Sequence, residues 1–117
     1  RFIDVGVSEQ NLINVASGLR KSKKISIIYG FCTLLTFRCY EQIKVNLCSM
    51  NLPVTIIGAG AGFSFGYDGP THHGHQDVSS MRLLPEMNIL ELSSNDVAQK
   101  AVDYAIQIKS PLAWLIP

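Results

Sequence analysis

Charge is scarce in this sequence and nearly balanced. Of 117 residues, 16% are charged, ten basic and nine acidic, for a formal net charge of +1. No strong field steers such a chain toward nucleic acid or an anionic membrane. Long apolar runs are missing too. None approaches the roughly 20 residues that cross a bilayer, and nothing after Arg1 has the basic, apolar and small-residue succession of a secretory signal. Cysteine is limited to Cys32, Cys39 and Cys48, an odd number without CxxC spacing. That argues against a disulfide framework and offers no zinc-ligand pattern. The thiols read as small buried apolar residues in a reducing compartment, which points to a cytoplasmic location. Disorder is excluded by the 47% of hydrophobic residues, enough to build a core. The length allows one domain or less. A chain that opens on Arg1 and closes on an apparent strand reads as a piece of something larger.

What is present alternates helix and strand. Leu12, Ile13, Val15, Ala16 and Leu19 recur at helical spacing between Ser8, a candidate N-cap, and Arg20. Ile25-Ser26-Ile27-Ile28-Tyr29 is a β-branched run read as a buried strand ended by Gly30. A second amphipathic stretch, about Leu34 to Met50, carries Leu35, Val45, Leu47 and Cys48 and closes at Asn51. Pro53 opens the strand Val54-Thr55-Ile56-Ile57. Asp77 is placed to cap a short helix through about Leu84, and Asn88 to Leu92 reads as a strand. Ser94 caps a last helix whose Val97, Ala101, Val102, Ala105 and Ile106 form one stripe. Leu112 to Ile116 is the final strand. The expected architecture is α/β, a parallel sheet with helices on both faces.

The longest irregular stretch, Gly58 to Gln76, holds six of the nine glycines and all three histidines. It leaves the carboxyl end of a strand, where ligands bind in such sheets, so it is the candidate binding loop. Within it, Gly58-Ala59-Gly60-Ala61-Gly62 could approach a phosphate through bare backbone amides, or could simply be a tightly turned connection. It lacks both GxGxxG spacing and the Lys-Ser/Thr of a P-loop. His72, His73 and His75, with Asp77, are possible metal ligands. A general acid–base or hydrogen-bonding role for one histidine, with Asp68 nearby, is the stronger candidate. Glu9 falls in the first turn of the first helix, where a carboxylate ordinarily complements the helix dipole. Phe37 and Tyr40 are spaced as core residues or as a ligand platform. The run Lys21 to Lys24 reads as a solvated face.

As continuous phrases, the same residues resemble a known family. Arg1-Phe2-Ile3-Asp4-Val5-Gly6-Val7-Ser8-Glu9-Gln10, then Ala16-Ser17-Gly18-Leu19, is similar to the opening phrase of transketolase-like enzymes. Arg38-Cys39-Tyr40-Glu41-Gln42-Ile43, Asp68-Gly69-Pro70-Thr71-His72-His73, Met81-Arg82 and Pro85 continue the likeness in order. The resemblance spans residues 1–117. It is to the pyrimidine-binding domain of thiamine diphosphate enzymes in the transketolase and 1-deoxy-D-xylulose-5-phosphate synthase group, above all to stand-alone transketolase C-terminal sections. It implies the thiamine diphosphate-binding fold of pyrimidine type, truncated at the N-terminus, and an activity that transfers a ketol unit between sugars or sugar phosphates.

The resemblance also implies roles for individual residues. Glu9 falls on the glutamate that hydrogen-bonds the cofactor's aminopyrimidine and so promotes proton removal from its thiazolium. Phe37 and Tyr40 match aromatics of the pyrimidine pocket, although the synthases place the stacking residue at the position of Leu35. Asp68 and His72 match contacts to sugar hydroxyls near the reacting carbon, which displaces the metal reading of the histidines. Magnesium and the diphosphate are expected on a partner domain or subunit, with the active site at a homo- or hetero-oligomer (dimer) interface. The family departs from this chain in three places. A helix and an acidic-Gly strand precede the position of Arg1, an arginine commonly stands at Leu115, and a glycine often follows the first helix near Lys21–Lys24. The alternative these departures raise is a truncated, non-catalytic domain kept for assembly or regulation.

Overall fold

The computed structural model describes residues 1–117. Strands β1 (Ser26–Phe31), β2 (Val54–Ala59), β3 (Asn88–Glu91) and β4 (Leu112–Ile116) form one parallel sheet in the order β1-β2-β4-β3. Parallel neighbours cannot be joined by a tight turn, so helices carry the crossovers. Helix α1 (Glu9–Lys21) leads into β1, and α2 (residues 34–48) links β1 to β2. The glycine-rich loop and α3 (Asp77–Met81) link β2 to β3, and α4 (Asn95–Gln107) links β3 to β4. The expected α/β architecture is present.

The main core lies on one face. Ile13 and Ala16 of α1, Leu35, Cys39, Ile43, Leu47 and Cys48 along α2, and Met81 of α3 close over Ile28, Val54 and Ile56. Each fully buried Leu or Ile there contributes about 1.5–3 kcal/mol. On the other face, Ala101 and Ala105 of α4 meet Leu112 and Trp114. Helices therefore cover both faces, but unequally.

That inequality overturns the reading of β1 as a buried strand. β1 is an edge strand, and the face it shares with α4 is open: Ile27 is 53% exposed and Tyr29 69%. Only Ser26 and Ile28 point into the core. The strand also runs through Gly30 to Phe31, which pair with Gly58 and Ala59 of β2. The α4 stripe narrows for the same reason. Ala101 and Ala105 are buried, whereas Val97, Val102 and Ile106 stay exposed. β2 continues two residues past Ile57, to Ala59.

α2 is not a regular helix. Its turns are wide at Leu34–Arg38 and Ile43–Cys48, with a regular α turn only at Tyr40–Gln42. The Ser49 and Leu52 amides reach back five residues, to the carbonyls of Lys44 and Leu47. Such widening adds a residue per turn and rotates the buried face, so Val45 is exposed while Leu47 and Cys48 are buried. Asn51 closes the helix with φ +45, a conformation its short amide side chain tolerates.

Two predicted caps differ from expectation and one holds. Ser94 accepts from the Val97 amide at 3.3 Å, as an N-cap should. Ser8 precedes α1, but its hydroxyl donates to the Val5 carbonyl at 2.7 Å, closing the turn before the helix. That turn is built on Asp4, whose Oδ1 accepts from the amide of Gly6 at φ +73. Asp77 is the first residue of α3 rather than its cap, and its carboxyl faces inward.

Candidate functional site

α1 runs up to β1 and packs on it, so Glu9 stands at the end of the sheet where β1 finishes and the glycine-rich loop begins. Its side chain is only 15% exposed, and Arg38, at the end of the first wide turn of α2, reaches it: Arg38 Nη1 donates to Glu9 Oε2 at 2.8 Å. Gln10 ties the same place by donating to the Arg38 carbonyl at 3.3 Å. Arg38 engages Oε2 alone, which leaves Oε1 for another donor. Burial pushes the neighbouring Cys39 thiol up to about 11, the Glu9 carboxylate adding to the rise and Arg38 offsetting part of it. Phe37, next to Arg38, is 38% exposed and free to offer a ring face, whereas Tyr40 is half-buried against the main core.

The loop is folded rather than slack. Gly62 and Gly74 form an antiparallel bridge, with the Gly74 amide 2.6 Å from the Gly62 carbonyl. The Ala61 amide donates to the Ile116 carbonyl at 2.9 Å. Gly60, at φ +79, must be glycine for a further reason: a Cβ there would overlap the Phe65 ring. A tight turn at Gly66–Asp68 then leaves Asp68 exposed, with its amide donating to the Phe65 carbonyl at 3.1 Å. His72 is partly enclosed. Thr71 Oγ1 lies 3.0 Å from its Nδ1, and its ring meets Phe31 edge-on at 5.5 Å between centroids.

The other histidines and Asp77 turn elsewhere. His75 stacks on Phe63 and His73 meets the same ring edge-on, each at 5.1 Å. Asp77 is 4% exposed; its Oδ1 accepts from the Val78 amide at 2.6 Å and its Oδ2 from the Cys32 thiol at 3.1 Å. Burial, reinforced by that bond to Asp77, raises the Cys32 thiol far above its ordinary range. No group of three His, Cys, Asp or Glu side chains is disposed to hold a metal ion.

The geometry thus draws the predicted residues into two groups near one end of the sheet. Glu9 and Phe37 are joined through Arg38, and Asp68 and His72 are joined through the loop. Tyr40 is partly buried, packed against the main core. Sequence reasoning gave no role to Arg38, although it lies in a recognised phrase, and none to Phe31, Phe65 or the Cys32–Asp77 pair, which carry no local signal.

Against known proteins, the whole chain, residues 1–117, matches the family described as transketolase, pyrimidine binding domain. The chain belongs to that family. It is 33% identical over 112 residues to one subunit of the apulose-4-phosphate transketolase of Actinobacillus succinogenes, covering 96% of this chain and 36% of that protein. It is 37% identical over 117 residues to 1-deoxy-D-xylulose-5-phosphate synthase of Nitratidesulfovibrio vulgaris, covering 100% of this chain and 18% of that one. Among solved structures, a split gene transketolase, described as an inactive beta4 tetramer, superposes with TM-score 0.88 at 30% identity, over 98% of this chain and 36% of that one. The Campylobacter jejuni transketolase superposes with TM-score 0.89 at 18% identity, over 97% and 18% of the two chains, which speaks to fold alone. The pyrimidine-domain chain therefore spans about a third or less of the relatives it matches. No helix in it is long and apolar enough to cross a membrane.

Proposed function

We propose that residues 1–117 are the pyrimidine-binding portion of a thiamine diphosphate-dependent, transketolase-type enzyme that moves a ketol unit between sugars or sugar phosphates. The observation that carries this reading is Glu9: a nearly enclosed carboxyl at the carboxyl end of the sheet, held through one oxygen by Arg38 with the other free. That donor set fits an aminopyrimidine, which needs a fixed carboxyl at a ring nitrogen and a flat apolar neighbour. A bound thiamine diphosphate would supply the nucleophilic carbon that ketol transfer needs. Glu9 would hold the pyrimidine nitrogen through a hydrogen bond, Arg38 holds Glu9 in place, and Phe37 would offer a face to the ring. Asp68 and His72 contact the sugar hydroxyls, with the His72 imidazole able to accept or donate a hydrogen bond there.

On this reading the diphosphate and its magnesium are held by a partner domain or subunit, and the active site forms at the interface of a dimer or larger assembly. The three buried unpaired thiols fit the reducing cytoplasm. One observation favours a second reading, a non-catalytic domain kept for assembly or regulation. Leu115 is buried with Cys32 and Ala61 at the place where family members commonly carry arginine, so it grips no sugar phosphate.

Mixing the chain with a diphosphate-binding subunit should give thiamine-dependent ketol transfer that Glu9→Ala abolishes. Full turnover by Glu9→Ala would overturn the catalytic reading. Calorimetry that finds no thiamine diphosphate binding even with the partner present would favour the second.

A further inference from the structure

His72 is not held mainly by hydrogen bonds. Its one side-chain contact of that kind is the 3.0 Å approach to Thr71, at an exposed position. What surrounds the imidazole is aromatic. Phe31, the last residue of β1, meets it at 84° with centroids 5.5 Å apart, and Phe65 meets it at 66° and 6.3 Å. Phe31 and Phe65 also meet each other at 73° and 5.1 Å, so the three rings form one cluster of edge-to-face contacts. Phe65 is itself seated, because its ring occupies the space a Cβ on Gly60 would take, directly past the end of β2. Its carbonyl accepts the Asp68 amide at 3.1 Å. One residue thus touches the imidazole through its ring and starts the turn that presents Asp68.

We infer that Phe65 and Phe31 are positioning residues for His72, and that Phe65 sets the placement of His72 and Asp68 together. This rests on the proposed role of His72 at the substrate. Aromatic pairs favour edge-to-face over sandwich geometry, so packing between two phenyl rings disposed edge-on limits the orientations open to the imidazole. Nδ1 faces Thr71, and Nε2 remains the nitrogen available to a substrate hydroxyl. Phe31 ends β1, and Phe65, a loop residue, seats its ring over Gly60 just past the end of β2, so the orientation is referred to the ends of two strands. Misplacement by about 1 Å at such a group costs on the order of a hundredfold in rate.

The test uses the chain assembled with its diphosphate-binding partner and carrying ring-labelled histidine, with His72 assigned by loss of its signals in His72→Gln. Phe65→Leu should move the His72 ring-proton shifts toward those of free imidazole and lower kcat about tenfold or more. Phe65→Tyr, which keeps the ring, should restore both. Gly60→Ala, which displaces the Phe65 ring, should act like Phe65→Leu and serves if that variant folds poorly. In a His72→Gln background, Phe65→Leu should cost less than it does with His72 present, the remainder being the share carried by Asp68. Unchanged His72 shifts in both Phe65→Leu and Gly60→Ala overturn the inference, as does an equal loss of kcat with and without His72. Full activity of His72→Gln alone would instead overturn the catalytic reading of His72, and the ring shifts would then decide the positioning role by themselves.

Discussion

At the residue scale, the buried carboxyl of Asp77 is the group with the least freedom to change. It accepts from the Val78 amide and the Cys32 thiol 45 residues away, and it lies beneath the loop that carries Asp68 and His72. Asp77→Ala strands both donors, so it should cost about 1–3 kcal/mol, read as a lower urea midpoint. Cys32→Ser keeps a donor at that point and should cost less than Cys32→Ala. The thiols also make stability depend on alkaline pH. Burial pushes Cys39 and Cys48 from an ordinary 9.0 up to about 11, so the folded chain keeps protons that the unfolded chain has released. Stability from this source is complete below pH 9 and is lost as pH rises toward 11, at up to about 1.4 kcal/mol per pH unit for each thiol. Thermal melts between pH 8 and about 11 should fall on that schedule, and Cys48→Ala should flatten the decline. The burial of the thiols was legible beforehand; the Cys32–Asp77 pairing was not. Asp77 looks like a helix cap in sequence because capping is a local pattern, whereas its true partner is set by how β1 and α3 meet.

At the scale of elements, the end of α1 shows a local rule broken. The Lys23 amide donates to the Arg20 carbonyl at 2.9 Å and the Lys24 amide to the Leu19 carbonyl at 3.0 Å, the paired bonds of a Schellman motif. That motif puts the residue after the C-cap in the left-handed region, and Lys23 sits there at φ +62. Glycine is the usual occupant, and its absence after the first helix was visible in the sequence; the backbone shows what the absence costs. Lys23→Gly should therefore stabilise the chain by about 0.5–1 kcal/mol, net of glycine's own entropy in the unfolded state. A urea midpoint at or below wild type would mean that the turn carries no strain. Helix α2 is the opposite case. Its apolar spacing announced a helix correctly, yet the wide turns at Leu34–Arg38 and Ile43–Cys48 depend on how it lies over α1 and the sheet, which no local window contains. The strands, Ser94 and the glycine-rich loop were readable because β-branched runs, a cap and a cluster of glycines are local signals.

For the whole molecule, the two faces of the sheet are finished to different degrees, and this governs how the chain behaves in solution. Three helices close one face around a common core, whereas α4 covers only the β4–β3 side of the other. Ile27, Tyr29 and Phe31 project from edge strand β1 on that second face, and Ile25 precedes them, all exposed. A continuous β-branched run reads the same for a central strand as for an edge strand, which is why the sequence alone suggested burial. Near-neutral net charge gives little repulsion to keep such surfaces apart. Unpaired strand edges bearing apolar side chains associate unless something covers or charges them. The chain by itself should therefore self-associate as concentration rises, seen as a weight-average mass that climbs through a sedimentation dilution series. Ile27→Lys places a charge on the exposed side of the edge, where no core contact is lost. It should hold the chain monomeric while changing the urea midpoint by no more than about 0.5 kcal/mol. A wild-type chain that stays monomeric throughout the series would show that its open face is compatible with water. Self-association that persists in Ile27→Lys would place the sticking surface elsewhere, with the exposed Val102 and Ile106 of α4 the next positions to charge.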